Sequence, residues 1–232
     1  MRYFITLSYD GTCYHGWQVQ PNGASVQGEL QRGLSLLLRC DVQVTGAGRT
    51  DTGVHARMMV AHFDHDGALP MSCEQLVYKL NRLLPRDIAI QRVEPVGDEL
   101  HARFSAISRT YHYYIHTCKS PFHRHYSWQV PYQLDFGAFC KSHADVQTTL
   151  CRVTKAEWHQ TGPDTWYFEI TANRFLRNMV RAVVGTLVEV GRGRMSLDEF
   201  RRVVEGKRRT EAGESMPGHA LFLERIEYPQ YY

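Results

Sequence analysis

Apolar and polar side chains alternate through Arg2-Tyr3-Phe4-Ile5-Thr6-Leu7-Ser8-Tyr9, which predicts a strand over residues 2–9. The period then lengthens: Val26, Leu30, Leu34 and Leu37 fall on one face of a helix from Ser25, a good N-cap, to Arg39. A short strand over 42–45, a second over 58–63, a helix over 73–84 stopped by Pro85 and a strand over 87–93 follow. That order is βαββαβ, a ferredoxin-like unit. In the second half, Arg109-Thr110-Tyr111-His112-Tyr113-Tyr114-Ile115-His116 predicts an aromatic strand with Arg109, Tyr111 and Tyr113 on one face. Strands over 151–158 and 165–172, helices over 175–190 and 196–205 and a last strand over 221–228 come close to repeating the unit. The expectation is an α+β protein with two ferredoxin-like halves, residues 1–100 and 101–232. They would join into one body with a central antiparallel sheet and a cleft, since no linker or low-complexity stretch separates them.

One stretch has no periodicity. Gly46-Ala47-Gly48-Arg49-Thr50-Asp51-Thr52-Gly53-Val54-His55-Ala56 packs three glycines, an Arg, a His and a single carboxylate into eleven residues. Glycine lets a backbone turn sharply and approach a ligand closely. Arg49, two residues from Asp51, is expected to favour the carboxylate's ionised form, leaving it as a nucleophile, an electrostatic stabiliser or a metal ligand. A phosphate-binding loop would need a Lys, which is absent between 46 and 56, and a dinucleotide fingerprint would need Gly where Asp51 stands. Asp51-Thr52-Gly53 spells the aspartic-protease triplet, but that chemistry needs two such carboxylates and the triplet occurs once.

Composition narrows the class. Of 232 residues, 43% are hydrophobic and 22% charged, values ordinary for a soluble globular protein, and no apolar run has membrane-spanning length. The first residues lack the apolar core of a signal peptide, and six scattered cysteines form no Cys-x-x-Cys pair, so free thiols in a reducing cytosol are expected. Residues 1–100 carry 9 Lys/Arg against 11 Asp/Glu, whereas residues 101–232 carry 18 against 13. Residues 174–209 alone hold ten Lys/Arg and four Asp/Glu, a footprint suited to a polyanion or to solvated helix faces. On a helix over 174–190, Phe175, Met179 and Val183 would be core, with Arg174, Arg177 and Arg181 on another face. Twelve histidines, His62, His65, His123 and His125 among them, do not assemble four ligands at zinc spacing, so no metal is expected.

The glycine-rich stretch resembles the signature loop of the TruA family of tRNA pseudouridine synthases, which reads Gly-Arg-Thr-Asp followed by Gly-Val-His. The resemblance runs along nearly the whole chain: Tyr9-Asp10-Gly11 through Gly16-Trp17-Gln18, Val26-Gln27, His101-Ala102-Arg103-Phe104-Ser105-Ala106, Arg109-x-Tyr111-x-Tyr113, Asn173 through Met179-Val180-Arg181, and His219-Ala220-Leu221-Phe222-Leu223. It implies Asp51 as the catalytic residue, Arg181 as the arginine that pairs with it and Tyr111 as the active-site tyrosine. Leu221 would pack against the target base, although Ala220 replaces the family's Gly. Arg49, Tyr113, Arg174 and Arg177 complete the expected substrate-binding set. The substrate would be uridine at positions 38, 39 or 40 of the tRNA anticodon stem-loop, the enzyme a cytoplasmic homodimer, and no cofactor would be needed. The family has a helix between the aromatic strand and Asp135-Phe136-Gly137-Ala138-Phe139 that this chain lacks, on the order of a dozen residues, as a deletion or an omitted segment. The second half is therefore expected to be short of one helix.

Pseudouridine formation breaks the bond from ribose C1′ to uracil N1 and rejoins the base through C5. A carboxylate near the sugar serves by attack, at C1′ or at C6, or by stabilising the cationic sugar of a glycal route; the residues leave these open. Two other classes fit parts of the chain: a non-catalytic RNA-binding protein, and a dimeric aspartyl hydrolase whose second carboxylate comes from symmetry.

Overall fold

Strand β1 (Arg2–Tyr9) is the spine of the first of two units, which comprises Met1–Ile107 with Leu223–Tyr232. The computed structural model describes residues 1–21, 23–132, 134–135, 151–206 and 214–229. β1 is buried almost throughout because it is hydrogen-bonded on both sides, to β3 (His55–Asp64) and to β4 (Ile88–Val96), antiparallel in each case. The pairing sets Tyr3 against Phe63 and Ile5 against Ala61. A three-residue strand, β2 (Val44–Gly46), pairs with β3, and the first unit's order is β4-β1-β3-β9, with β9 spanning Leu221–Glu227.

Two helices belong to this unit. Helix α1 (Val26–Leu38) begins where the sequence predicts, with Ser25 Oγ accepting from Gly28 N–H, and it buries Val26, Leu30, Leu34 and Leu38 at four-residue intervals. Helix α2 (Cys73–Leu83) starts in a capping box between Ser72 and Gln75, and its register against β4 is fixed by Asn81, which donates to Ile90 O at 2.8 Å and accepts from Ile90 N–H at 2.7 Å. Truncating Leu30 or Leu34, both fully buried, is expected to cost about 2–5 kcal/mol.

The second unit, Ser108–Phe222, is built on β5 (Ser108–His116), β8 (Thr165–Ala172) and β7 (Val153–Gly162), antiparallel neighbours in that order. β6 (Trp128–Gln129) adds a short parallel pair on β5. Helix α3 (Met179–Gly191) buries Val180, Val184 and Leu187, and α4 (Leu197–Gly206) buries Phe200. The protein is thus α+β with a largely antiparallel sheet.

One expected element is shorter than its apolar pattern suggests. The helix expected from Phe175 begins at Met179, because Asn178 takes a left-handed conformation at φ 62° and residues 173–178 form an irregular connection. Arg174 and Arg177 are therefore exposed on that connection rather than sharing a helix stripe with Arg181. The Phe136–Phe139 part of the motif after Asp135 lies outside the described residues.

Candidate active site

The Asp51 loop leaves β2 and returns into β3, and residues 9–17 hold it from outside. Trp17 N–H donates to Thr50 O at 3.2 Å, Gly53 N–H donates to Tyr14 O at 3.3 Å, and Tyr9 Oη and Thr50 Oγ1 lie 2.9 Å apart in a buried hydrogen bond. Ala47 N–H donates to Val60 O at 2.8 Å, and Val54 N–H donates to Asp51 O at 3.1 Å, closing a turn around the carboxylate residue. Both residues next in the chain to Asp51 on its N-terminal side, Arg49 and Thr50, thus differ sharply: Thr50 is buried and bonded, Arg49 exposed.

Glycine makes the contact possible. A Cβ on Gly16, at φ +91°, would lie 2.2 Å from Thr50 O, one on Gly11 would lie 2.0 Å from Val54 O, and one on Gly46 would lie 2.5 Å from the indole nitrogen of Trp17. Trp17 is 1% exposed and fills the floor under the loop. Gly53 adopts φ +74°, a true left-handed turn. Gly48 differs, since a Cβ there would meet nothing within 4 Å.

His55, the last polar residue of the motif, is buried, and two groups lie 3.0 Å from its Nδ1: Gly11 N–H and Asp10 Oδ1. A neutral Nδ1 accepts from Gly11, whereas an imidazolium would donate to Asp10. The same Asp10 Oδ1 accepts from Thr12 N–H at 2.9 Å and from the Thr12 hydroxyl at 2.5 Å.

The expected pairing of Arg49 with Asp51 does not form. Arg49 is exposed and has no ion pair among the described residues. Tyr9, Tyr14 and Trp17 support the loop; the sequence pattern placed Tyr9 and Trp17 in a family block without giving them this role, and Gly11 and Gly16 standing beside buried aromatics were their signal.

In the second unit, Tyr111 packs edge-on against Phe175 with ring centroids 5.0 Å apart. Tyr113, two residues on, is wholly buried and donates its hydroxyl to Pro217 O at 3.1 Å; burial pushes its phenol well above the usual tyrosine range. That bond supports the strand from beneath. Arg181, on the first turn of α3, donates from Nε to Met216 O, and Met216 N–H returns a bond to Arg181 O at 3.3 Å. The 214–217 segment sits directly on α3: a Cβ on Gly185 would lie 2.0 Å from Glu214 O. Arg109 ties the connection after β8 to β5 by donating to Asn173 O at 2.7 Å. Leu221 is buried at the start of β9, just after a 3₁₀ turn (Gly218–Ala220) in which Ala220 is also buried.

Among the described residues, no group of three or more His, Cys, Asp or Glu side chains is placed to hold a metal ion, and no helix is long and apolar enough to cross a membrane. Comparison with known proteins bears on the whole chain. The family model described as tRNA pseudouridine synthase matches residues 5–105 and 133–229. Proteins called tRNA pseudouridine synthase A are similar over full length: 52% identical in Bacteroides fragilis, covering 99% of this chain and 97% of that protein, and 39% identical in Bacillus subtilis, covering 98% and 99%. The alignments run over 245 and 248 positions, more than the 232 residues of this chain, so these relatives carry residues that it lacks. With the signature loop inside the matched regions and full-length relatives at 39% and 52% identity, the chain belongs to the tRNA pseudouridine synthase family.

Proposed function

We infer that this protein is an isomerase that converts uridine to pseudouridine in tRNA, and we propose Asp51 as its nucleophile. The observation that carries the assignment of Asp51 is its mounting. It is the one carboxylate of a loop whose neighbours are bonded to Tyr9, Tyr14 and Trp17, and such preorganisation is what a reacting group requires. The chemistry asks for a carboxylate beside the sugar, a base turned out of the stack and an aromatic surface to receive it. Arg181 is the arginine proposed to keep that carboxylate charged, Tyr111 the tyrosine that receives uracil, and Leu221 the side chain against the base. Arg49, Arg174 and Arg177, all exposed cations, are assigned to the RNA backbone. The anticodon stem-loop, at positions 38–40, is the proposed target; a cytoplasmic homodimer without cofactor is the proposed working form. The finer architecture, two βαββαβ halves enclosing the substrate, is supported in the first unit by the strand order β4-β1-β3 with β2 on β3.

The test is direct. Unmodified tRNA transcript is incubated with wild type and with Asp51→Asn, and pseudouridine is mapped by carbodiimide modification. Product from wild type at 38–40 and none from a variant that still binds tRNA is the expected result; full activity in Asp51→Asn removes the nucleophile assignment.

A further inference from the structure

The second unit carries a surface loop that neither the motif nor the fold uses. β5 ends at His116 and the chain returns at Trp128 to pair in parallel with Ile115, so residues 117–127 form a loop whose ends meet. Its base is locked: Thr117 N–H donates to Asp164 O at 3.0 Å, His116 Nδ1 lies 2.9 Å from Ser127 Oγ, and Val130 N–H donates to His116 O at 2.8 Å. Beyond it residues 121–126 are exposed in succession, turned by a bond from Tyr126 N–H to His123 O at 3.1 Å.

The chemistry of the tip is one-sided. Lys119, His123, Arg124 and His125 supply cations or potential cations, and no Asp or Glu occurs from Thr117 to Leu134; Asp164 at the base is the nearby carboxylate. Neither Lys119 nor Arg124 is ion-paired among the described residues. Arg124 Nε donates to His125 Nε2 at 2.8 Å, which fixes the guanidinium plane while leaving its terminal amino groups available. Beside them Phe122 is 87% exposed and stacks on no other ring among the described residues. A bare phenyl among unpaired cations, on a loop with a rigid base, is the arrangement by which proteins hold unpaired nucleotides: a ring for a base, cations for the phosphates.

We propose that the 117–127 loop is a tRNA contact, with Phe122 stacking on an unpaired base and Lys119 and Arg124 meeting the adjacent phosphates. The proposal rests on the reading of the protein as a tRNA-modifying enzyme. The absence of carboxylates favours RNA over a second copy of this chain, whose matching surface would bring like charges together.

The experiment uses the full-length protein and unmodified tRNA transcript, with Kd measured by filter binding from 50 to 200 mM salt and kcat and KM from tritium release. Phe122→Ala is expected to raise Kd and KM about tenfold and leave kcat within about twofold, while Phe122→Trp restores binding. Lys119→Ala/Arg124→Ala is expected to lower the salt slope by between one and two. Wild-type Kd and slope in these variants, with pseudouridine still formed, overturn the loop contact and leave the enzyme assignment standing. Loss of binding in Phe122→Trp as well as Phe122→Ala overturns the stacking role. A change of oligomeric state in Phe122→Ala at unchanged Kd assigns the surface to a second copy and overturns the proposal. Absence of pseudouridine with the wild-type protein would instead remove the reading on which the proposal rests.

Discussion

Two polar loops, 46–54 and 117–127, are built on opposite plans. The first is held along its length: Thr50 is bonded at both backbone and hydroxyl, Gly46 lies on the Trp17 ring, and Gly11 and Gly16 come within reach of its carbonyls only because they lack side chains. The second has six consecutive exposed residues, 121–126, beyond its bonded base. The contrast shows what each group can do. A nucleophile displaced by about 1 Å loses much of its rate, so the loop bearing Asp51 gains from being rigid. A ring and two cations that grip a flexible strand gain from being accessible.

The largest effect expected from breaking this contrast is chemical. Asp51→Asn keeps the side chain's size and the backbone-to-backbone bonds of the first loop, and is expected to lower kcat on the order of a thousandfold or more while tRNA binding is retained. Residual activity near the wild-type value would show that a rigid mounting had been mistaken for a catalytic one.

Next comes the mounting itself. Trp17→Ala empties the space beneath Gly46 and is expected to destabilise the protein by about 3–5 kcal/mol, read from urea unfolding. Phe122→Ala, in the second loop, is expected to change stability by less than about 0.5 kcal/mol. Equal losses in the two variants would erase the distinction between a clamped and an open loop.

Much of this was legible before any coordinates. Ser25 as a cap, the Thr165–Ala172 strand and the Asp51 loop follow from spacing and residue type, because caps, alternation and glycine clusters act over a few residues. The clamp on Asp51 was not, since Tyr9, Tyr14 and Trp17 reach it through contacts some forty residues distant in sequence. The apolar pattern over Phe175 and Leu176 continued the helix too far toward the N-terminus. Asn178 at φ 62° and its 2.5 Å bond to Ser215 override that pattern with a tertiary constraint no local period records. β6 was unreadable for a simpler reason, since two residues have no period.

A smaller effect tests how each loop is founded. β3, which leads out of the Asp51 loop, carries His62 near its other end; burial first, then the charges of Arg2 and His101, push that imidazole down to about 4. Its Nδ1 accepts from Ala102 N–H at 3.1 Å, a bond that only the neutral ring makes. His116, under the second loop, is also lowered, again mainly by burial. A histidine with a depressed folded value binds more protons when unfolded, so its contribution is intact above the ordinary value near 6.5 and is lost as pH falls from there toward 4. Stability is expected to drop on the order of 2 kcal/mol between pH 7.5 and 4.5 from His62, and the slope to flatten in His62→Leu. A His62→Leu profile parallel to wild type would place the acid sensitivity elsewhere.

Gly48 separates the needs of the fold from those of the reaction. Gly11, Gly16 and Gly46 each face a protein atom closer than 2.6 Å to where a Cβ would stand, so alanine at any of them must move backbone or indole. Gly48 faces open space and lacks a left-handed φ. Gly48→Ala is therefore expected to fold as well as wild type, or to gain up to about 1 kcal/mol through a less flexible unfolded chain. Immediately before Arg49-Thr50-Asp51, its methyl group would project into the open space beside the loop, so the variant is expected to raise KM for tRNA while the melt stays in place. Normal KM and kcat would mean that the loop's open side is not the side substrate uses, and the rigid loop would then present its carboxylate from the opposite face.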